Sequence, residues 1–279
     1  MASGTLPRVT AANVPRGVHP TALVDPGAVL GADVSIGPYT IVGPDVVLGD
    51  GVVLDAHVCV QGPTVIGADS RVHSFASIGG DPQDLTYAGE STRLEIGARN
   101  VIREYATISR GTVKGGGLTL IGDDNLIMAY VHIAHDCRVG NGVVFSNAAS
   151  LAGHVEIGDC VSLGGFTLVH QFTRIGAYAF SSMGAAINRD LPPFCLAQGN
   201  YARLIGINRV GLQRRGFAAE TISELHRAFL QLLRSPVGRA ERLRAWQAKT
   251  DLSAEARLLV DFIAESRRGV LGAQRDAQA

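Results

Sequence analysis

Residues 36–49 read IGPYTIVGPDVVLG, and in this stretch an aliphatic residue returns at every sixth position, at Ile36, Val42 and Leu48. Glycine follows each of the three, which suits a tight corner with close backbone approach. The same spacing places aliphatic residues at all eleven positions across residues 18–78. An amphipathic helix repeats every 3.6 residues and a half-buried strand every 2, so a period of six predicts a stacked repeat instead.

The period breaks twice along the chain. It is lost over residues of about 80–93 and resumes in phase at Ile96. It is lost again at about 114–120, beside Gly115-Gly116-Gly117, and resumes one residue out of phase at Ile121. Insertions into a repeat usually leave the coil as loops on one functional face. Both loops are therefore predicted to shape a binding site.

We divide the chain into three segments. Residues 1–17 are predicted to be an N-terminal extension, residues 18–190 the repeat, and residues 191–279 a smaller α-helical domain. The sixfold period does not return after residue 190. Leu191-Pro192-Pro193 predicts the end of sheet pairing at this boundary, because proline lacks a backbone donor.

Two apolar stripes predict helices in the last segment, each with one face packed against other elements. The first helix is expected to begin at Thr221 or Ser223 and to end at Ser235-Pro236, and the second follows Ser253. The stripes consist of Ile222, Leu225, Phe229, Leu232 and Leu233, and of Leu258, Leu259, Phe262 and Ile263.

The composition narrows the class of protein. Gly is abundant at 34 residues while aromatics reach 6%, a bias that favours closely stacked backbone over an aromatic core. The four cysteines lie far apart with no Cys-x-x-Cys pair, which indicates neither a zinc cage nor a disulfide framework and favours a reducing compartment. The sequence shows neither an apolar leader nor a run of about 18 apolar residues. We expect a soluble, cytoplasmic protein with no transmembrane segment.

The charges are unevenly placed although the net charge is zero. Residues 200–279 hold 14 Lys and Arg against 8 Asp and Glu, and the rest of the chain carries the opposite excess. A basic segment of this kind indicates an acidic partner or a phosphate ligand, or else a solvated helical surface. Nucleic acid is not the expected partner, because no basic run is interleaved with aromatics.

The residues with the clearest chemical potential are His132-Ile133-Ala134-His135-Asp136, where two histidines and a carboxylate lie in an apolar, glycine-rich region. Such a cluster can be a general base with its orienting carboxylate, part of a metal site, or a polar turn without chemistry.

The sixfold period resembles the left-handed parallel β-helix of the hexapeptide-repeat acyltransferases, in which three hexapeptides form one triangular coil. Residues 18 apart then lie one above the other, about 4.8 Å away. His135, Gly153 and Gln171 form one such column, and Asp136 stacks with His154. Adjacent side chains of an ideal strand point to opposite faces, so a direct contact of His135 with Asp136 requires a corner or a second chain.

The whole set of motifs resembles the family of bacterial UDP-N-acetylglucosamine O-acyltransferases, which catalyse the first step of lipid A biosynthesis. The resemblance covers almost the whole chain from His19 onward. The pieces that carry it are Ala76-Ser77-Ile78-Gly79, Gln83-Asp84-Leu85, Tyr87-Ala88-Gly89-Glu90, Arg110-Gly111-Thr112-Val113, Gly115-Gly116-Gly117, His132-Ile133-Ala134-His135-Asp136, Leu151-Ala152-Gly153-His154, Val169-His170-Gln171-Phe172, Ala197-Gln198-Gly199-Asn200 and Arg214-Arg215-Gly216-Phe217.

The resemblance implies transfer of an (R)-3-hydroxyacyl group from acyl carrier protein to the sugar 3-hydroxyl of UDP-N-acetylglucosamine. No cofactor is bound, because phosphopantetheine arrives on the carrier protein. The resemblance also implies a homotrimer with active sites between neighbouring chains. It assigns His135 as the general base, Asp136 as its orienting carboxylate and the Gly153 N–H as the oxyanion donor.

Further binding residues are implied by the same resemblance. Those expected around the sugar are Asp84, His132, His154 and Gln171, and those expected towards the nucleotide are Asn208, Arg214 and Arg215. The role of His170 stays open between the pocket and the structure. Thr86 stands where the family commonly has a lysine, and Val210 stands where relatives often have a glutamate, so the contacts made at these two positions are in doubt.

Met183 falls at the position that resembles the family's acyl-chain ruler, where glycine permits a long chain and a bulky residue closes the groove. Filling the groove removes room for several methylenes, each worth about 0.8 kcal/mol of burial. The sequence therefore predicts a shorter donor, of about C10 to C12, over C14.

Three other interpretations fit parts of the sequence. Some left-handed β-helices are zinc carbonic anhydrases with three histidines at trimer interfaces, and His132, His135 and His154 offer three imidazoles. A related sugar N-acyltransferase carries a uridine-binding domain before the repeat, for which the sequence leaves no room before Val18. A purely structural repeat would have little reason to align the polar column.

Overall fold

The computed structural model describes residues 17–234 and 238–273. Short parallel strands wind into a coil with three flat sides, and the strands of each side stack into one sheet. The chain passes from sheet A to sheet B to sheet C and back to sheet A. We name the corners AB, BC and CA after the sheets that they join. The predicted N-terminal extension lies outside the described residues except for Gly17, which begins the first strand.

Numbered in chain order, the strands fall into the three sheets as follows. Sheet A contains β1 Gly17–Val18, β4 Ser35–Ile36, β7 Val53–Leu54, β10 Arg71–Val72, β13 Val101–Ile102, β16 Leu126–Ile127, β19 Val144–Phe145, β22 Ser162–Leu163, β25 Phe180–Ser181, β27 Cys195–Gln198 and β28 Arg203–Ile207. Sheet B contains β2 Leu23–Val24, β5 Ile41–Val42, β8 Cys59–Val60, β11 Ser77–Gly80, β14 Thr107–Ser109, β17 His132–Ile133, β20 Ser150–Leu151, β23 Leu168–Val169 and β26 Ala186–Ile187. Sheet C contains β3 Val29–Leu30, β6 Val46–Leu48, β9 Thr64–Ile66, β12 Arg93–Ile96, β15 Leu118–Ile121, β18 Arg138–Val139, β21 Glu156–Ile157 and β24 Arg174–Ile175.

The aliphatic residue of each hexapeptide points into the coil and forms the core. Ile36, Leu54 and Val72 lie in successive strands of sheet A and are buried. Most corners contain a residue with positive φ, which lets two short strands meet at a sharp angle. The sixfold period thus follows from one inward residue and one tight corner per side.

The two phase breaks follow from the lengths of the insertions. Across the first loop, Ile78 pairs with Ile108, 30 residues on, so the extra residues are a multiple of six and the phase is kept. Across the second loop, Ile96 pairs with Ile121, 25 residues on, so the phase moves by one. The second loop occupies residues 110–117 rather than 114–120, because Leu118 already pairs with Arg93.

Sheet pairing continues past residue 190, so the expectation that Leu191-Pro192-Pro193 ends it is wrong. The Leu191 N–H donates to the Arg174 carbonyl, and β27 extends sheet A beside β25. The prolines are accommodated because they lie at the turn between these two pairings. Strand β28 then returns antiparallel to β27 and caps the sheet.

Four helices follow, α1 Arg209–Arg214, α2 Ala219–Leu232, α3 Arg239–Gln247 and α4 Ala254–Glu265. The predicted start of α4 is confirmed, because the Ser253 hydroxyl accepts a hydrogen bond from the Ala256 N–H. Helix α2 begins earlier than Thr221, and its Ser223 hydroxyl donates to the Ala219 carbonyl within the helix instead of capping it. The predicted end signal of α2, Ser235-Pro236, lies outside the described residues.

A buried carboxylate fastens the C-terminal segment to the coil. Asp190 accepts hydrogen bonds from the Arg174 N–H at 2.9 Å and the Ser266 hydroxyl at 2.7 Å, and its backbone bonds Gly269 and Leu271. The helical segment is therefore held against the last coils by hydrogen bonds, in addition to the chain connection.

Candidate active site

Both inserted loops and the histidine cluster occupy the same edge of the coil, corner BC. The first loop, 81–92, joins β11 to β12, and the second, 110–117, joins β14 to β15. His135 and Asp136 lie in the next passage from sheet B to sheet C, between β17 and β18. A loop that replaces a tight corner projects from that corner, so both loops lie on one side of the histidine cluster, with the second loop next to it.

Asp136 is the buried anchor of the site, with only 1% of its side chain exposed. Its Oδ1 accepts from the Thr112 N–H at 2.8 Å, and its Oδ2 accepts from the Thr112 hydroxyl at 2.7 Å. The Asp136 N–H donates to the Thr119 hydroxyl at 2.8 Å. These contacts fix the carboxylate from the second loop and from the neighbouring strand.

His135 contacts Asp136 directly within one chain. The distance from His135 Nδ1 to Asp136 Oδ2 is 2.7 Å, and 13% of the His135 side chain is exposed. The contact is possible because Asp136 adopts a φ of 61° at the corner, which turns two adjacent side chains towards each other. With Nδ1 facing the carboxylate, Nε2 is the ring nitrogen left to act on a substrate.

Gly153 lies one coil further, against the face of the His135 ring. A Cβ atom at this position would come within 2.5 Å of His135 Cε1, so the imidazole occupies the space that a side chain would need. Among the described residues, the Gly153 N–H donates to no other group. The predicted column of His135 over Gly153 is confirmed, because β17 pairs with β20 at a spacing of 18 residues.

The Gly153 N–H at corner BC can be compared with amides at the same hexapeptide position in corner CA. Gly153 is the second residue after the inward Leu151, and Ala32 and Asn141 hold the same place after Leu30 and Val139. At both, the N–H donates to an Asp carboxylate of the next coil, at 2.8 and 2.7 Å. An amide at this hexapeptide position can therefore bind a carboxylate oxygen that stacks on it from the next coil.

His154 stacks below Asp136 as predicted, with 3.6 Å between His154 Nε2 and Asp136 Oδ2. Its ring also stacks on Phe172 at 4.4 Å. Burial lowers the pKa of His154, while the Asp136 charge acts in the opposite direction. At neutral pH the ring therefore favours its uncharged form, which can both donate and accept a hydrogen bond.

His132 lies on sheet B near the same corner, with Nδ1 2.8 Å from the Thr107 hydroxyl. Burial lowers the pKa of His132, and the charge of a protonated His135 lowers it further. The two histidines thus disfavour carrying positive charge together, and an imidazolium at His135 favours a neutral His132.

Asp84 projects from the first loop. Its Oδ1 accepts from the Thr86 N–H at 2.8 Å and from the Thr86 hydroxyl at 2.9 Å. These hydrogen bonds lower the pKa of Asp84, and the positive charge of Lys114 acts in the same direction. Thr86, a departure from the family pattern, is thus a direct partner of the carboxylate.

The two residues of the Val169-His170-Gln171 segment with binding potential are both exposed at corner BC. Gln171 stacks in the column of Gly153, one coil further on. His170 Nδ1 lies 2.9 Å from Arg268 Nη2 and 3.1 Å from the Gln171 carbonyl. His170 therefore contacts the C-terminal segment, which favours the structural side of its open role.

Three predicted nucleotide-binding residues lie elsewhere, beside corner CA. Asn208 caps helix α1 by accepting from the Gly211 N–H, and its amide donates to the Tyr178 carbonyl at 3.0 Å. Arg215 lies over the Tyr178 ring, with Nη1 3.1 Å from Cys160 Sγ. Arg214 ends α1 and is exposed. The width of sheet C separates this group from His135.

Met183 lies at the third edge, corner AB, and 78% of it is exposed. It lies three residues before β26 of sheet B, and β26 is three strands along that sheet from β17. Three strand spacings amount to about 14 Å. Sheet B thus connects the His135 corner with Met183.

The site also has the composition of a metal centre, since ligand atoms of His135, Asp136 and His154 lie within 4.8 Å of one another. The zinc alternative requires His132 as well, but His132 Nδ1 contacts Thr107. Both oxygens of Asp136 already accept from Thr112, and its Oδ2 also contacts His135. This set of contacts favours acid–base chemistry over a cation site.

Comparison with known proteins places this geometry in a family. Residues 190–271 match the model described as UDP-N-acetylglucosamine O-acyltransferase, domain 2, and residues 119–153 match the bacterial transferase hexapeptide model. The acyl-[acyl-carrier-protein]–UDP-N-acetylglucosamine O-acyltransferase of Janthinobacterium sp. is 51% identical over 258 residues, covering 91% of this chain and 98% of the relative. The enzyme of the same name from Alkalilimnicola ehrlichii is 52% identical over 254 residues, with the same coverage.

The chain belongs to this O-acyltransferase family. Among solved structures, LpxA of Acinetobacter baumannii superposes with a TM-score of 0.88 at 42% identity, covering 91% of this chain and 99% of that one. The Francisella novicida UDP-N-acetylglucosamine acyltransferase gives 0.90 at 37% identity, covering 93% and 95%. The predicted left-handed β-helix with a smaller helical C-terminal part is confirmed. Within the described residues of this O-acyltransferase, no helix is long and apolar enough to cross a bilayer.

Three residues that hold Asp136 in place were not predicted as site residues from the sequence. Thr112 donates a hydrogen bond to each carboxylate oxygen of Asp136, and the Thr119 hydroxyl accepts one from the Asp136 N–H. Gly115 leaves the carboxylate its space, because a Cβ there would lie 2.0 Å from Asp136 Cγ. The motif that contains Thr112 and the glycine triplet were visible in the sequence, but their contact with Asp136 crosses a loop insertion.

Proposed function

We propose that this enzyme transfers an (R)-3-hydroxyacyl group from acyl carrier protein to the 3-hydroxyl of UDP-N-acetylglucosamine, the first step of lipid A biosynthesis, in the cytoplasm. The names of its relatives state both substrates. The observation that carries the proposal is the His135–Asp136 pair beside the Gly153 N–H, which donates to no group among the described residues. The reaction needs no bound cofactor, because phosphopantetheine arrives on the carrier protein.

His135 is the general base in this proposal. Its Nε2 takes the proton from the sugar hydroxyl while the hydroxyl oxygen bonds the thioester carbon. The imidazolium then returns the proton to the pantetheine sulfur as the carbon–sulfur bond breaks. Asp136 orients the ring through Nδ1 and stabilises the imidazolium, as general acid–base catalysis requires.

The Gly153 N–H serves the oxyanion of the tetrahedral intermediate. The amide lies next to the His135 ring, and equivalent amides of the coil bind carboxylate oxygens. One such donor typically stabilises a transition state by about 3 kcal/mol. Base and oxyanion donor can therefore act on the same carbonyl group.

Substrate contacts are proposed from both sides of the site. Those around the sugar come from Asp84, His132, His154 and Gln171, and those towards the nucleotide come from Asn208, Arg214 and Arg215. Arginine suits a diphosphate because its fork donates two parallel hydrogen bonds. The two groups lie at different corners, which supports a homotrimer in which neighbouring chains contribute to one site.

The acyl chain is proposed to run along sheet B to Met183, which limits the donor to about C10 to C12. The exposure of Met183 and its place beyond three strand spacings support a stop at the far end of the chain. The basic excess of residues 200–279 supports docking of acidic acyl carrier protein near the helical segment.

The decisive experiment is an acylation assay with UDP-N-acetylglucosamine and 3-hydroxyacyl carrier protein, repeated with His135→Ala. We expect the product in the wild type and a loss of about 100-fold or more in the variant, the usual scale of acid–base catalysis. Full activity in the variant would overturn the mechanism.

The metal-like arrangement of His135, Asp136 and His154 keeps one alternative open to test. Metal analysis and a carbonic anhydrase assay on the same preparation distinguish it. Stoichiometric zinc with CO₂ hydration, and no acylated sugar nucleotide, would replace the proposed function.

A further inference from the structure

The two loops at corner BC are joined by a lysine. Lys114 lies in the 3-10 turn Val113–Gly115 of the second loop, and its Nζ donates to the Thr86 hydroxyl of the first loop at 2.7 Å. Thr86 in turn donates to Asp84 Oδ1. An ammonium can only donate, so it fixes the Thr86 oxygen as acceptor and directs the single hydroxyl hydrogen to Asp84.

The result is a carboxylate with one oxygen occupied and one available. Asp84 Oδ1 accepts two hydrogen bonds from Thr86, while no described residue donates to Oδ2. An ionised carboxylate oxygen of this kind accepts a hydrogen bond from a sugar hydroxyl. The arrangement keeps Asp84 ionised and holds its carboxylate in one orientation, with Oδ2 available to a sugar hydroxyl.

The same turn also holds the catalytic pair. Thr112, at the start of the turn that carries Lys114, donates twice to Asp136. One short segment therefore touches the Asp84 arm on one side and the His135–Asp136 pair on the other. The two loops also meet at their base, where the buried Arg110 of the second loop contacts Asp81 and Tyr87 of the first.

We propose that Lys114 is a positioning residue for the sugar substrate, which it serves by holding the Thr86–Asp84 pair of the opposite loop in its binding geometry. The proposal rests on the function proposed above, in which Asp84 contacts the sugar. It also offers a physical reason why threonine can replace the family's usual lysine at position 86, because Lys114 brings a positive charge to this position from the second loop.

The test uses full-length enzyme and steady-state kinetics with UDP-N-acetylglucosamine. Lys114→Met removes the ammonium and keeps the length of the side chain. We expect KM for the sugar nucleotide to rise about fivefold, the upper range for one exposed charged contact, with kcat within about twofold of wild type. Lys249→Met is the matched control, since Lys249 is the only other lysine and lies over Trp246.

Two double variants separate positioning from general damage. Thr86→Val should raise KM as Lys114→Met does, and the two together should be no worse than either alone, because both break the same relay. Thr86→Lys in the Lys114→Met background should lower KM again towards wild type by supplying the ammonium locally.

Each outcome has one meaning. An unchanged KM in Lys114→Met, additive effects of the two single variants, or no rescue by Thr86→Lys would overturn the role of Lys114. A wild-type enzyme that does not acylate UDP-N-acetylglucosamine would instead overturn the proposed function, so the two failures are distinguishable.

Discussion

At the scale of single residues, the site depends on a carboxylate that receives its hydrogen bonds from a loop. Asp136 contacts Thr112 through both oxygens and His135 through one. The position of the proposed catalytic pair is therefore set by the Thr112 turn of the second loop. The glycine beside the carboxylate offers the sharpest way to disturb this arrangement without touching any reacting atom.

Gly115→Ala tests that control. The new Cβ would come 2.0 Å from Asp136 Cγ, so the carboxylate or the Thr112 turn must move. We expect kcat to fall about 100-fold, because a displacement of about 1 Å in a catalytic group can cost that much. Gly80→Ala, where nothing lies within 4 Å of the added Cβ, should keep normal activity. Equal activity of both variants would mean that the Asp136 position does not matter.

A second prediction at this scale concerns pH. Burial lowers the pKa of His132 in the folded chain, so the unfolded chain binds more protons below its ordinary pKa of about 6.5. The free energy of unfolding should therefore be highest above that pH and decrease as the pH falls through and below it. His132→Gln, which can still bond Thr107, should make the decrease between pH 7.5 and 5 shallower. Identical slopes in urea titrations would contradict this.

At the scale of secondary structure, the coil is stabilised by polar side chains inside as well as aliphatic ones. Asn125 is fully buried near corner CA. Its Oδ1 accepts from the Val143 N–H at 2.7 Å, and its Nδ2 donates to the Gly122 carbonyl at 3.1 Å. Asn100, one coil earlier, accepts from the Asn125 N–H. The pair satisfies backbone groups of successive coils along corner CA.

Asn125→Ala should destabilise the coil measurably. It leaves the buried Val143 N–H without its acceptor, and an orphaned buried polar group costs about 1–3 kcal/mol. Thermal unfolding should show a lower Tm than wild type. Asn147→Ala, at an exposed position, is the control and should change stability by less than about 0.5 kcal/mol. A Tm equal to that of the control would show that the hydrogen bonds of Asn125 contribute nothing to stability.

The repeat made most of this architecture predictable. A period of six with small corners fixes which residues point inward and which stack, so the column of His135 and Gly153 followed from counting. The contact of Thr112 with Asp136 did not, because those residues are 24 apart and the loop between their strands breaks the count of 18. The direct contact of His135 with Asp136 could not be predicted either, because it depends on the positive φ of Asp136 at the corner.

The helices were less predictable for a different reason. Helix α3 buries mainly Trp246 and otherwise presents charged residues, so it has no apolar stripe to find. Helix α1 has six residues and is set by the Asn208 cap. The start of α2 lacks a side-chain cap, and the hydroxyl residues that suggested a later start lie inside the helix.

At the scale of the whole molecule, the groups proposed for one substrate occupy different edges of the coil. If neighbouring chains share the site, His135→Ala and Arg215→Ala variants should complement each other when coexpressed. Random assortment in a cyclic trimer leaves about a quarter of the sites with both residues intact. Activity near that fraction in mixed oligomers, against almost none in either variant alone, checks the prediction. No recovery would place both residues in one chain's site.

The distance along sheet B between His135 and Met183 gives a prediction about the length of the acyl chain. Met183→Gly should open the far end of the groove and shift preference towards C14 donors, by up to about 15-fold per added pair of methylenes at about 0.8 kcal/mol each. Competition between carrier-protein thioesters of different chain length measures it. Leu168→Ala, on the exposed face of sheet B, is a comparison that alters the groove wall but leaves its end. A wild type that prefers C14 would refute the ruler.

The register of β17 with β20 should determine how turnover depends on temperature. The spacing between the His135 ring and the Gly153 amide is set by main-chain hydrogen bonds of the coil, such as that from the His154 N–H to the His135 carbonyl at 3.0 Å. Such spacing cannot drift gradually while the sheet is intact. On warming, turnover should therefore keep rising until the coil melts and then stop within the same narrow temperature interval.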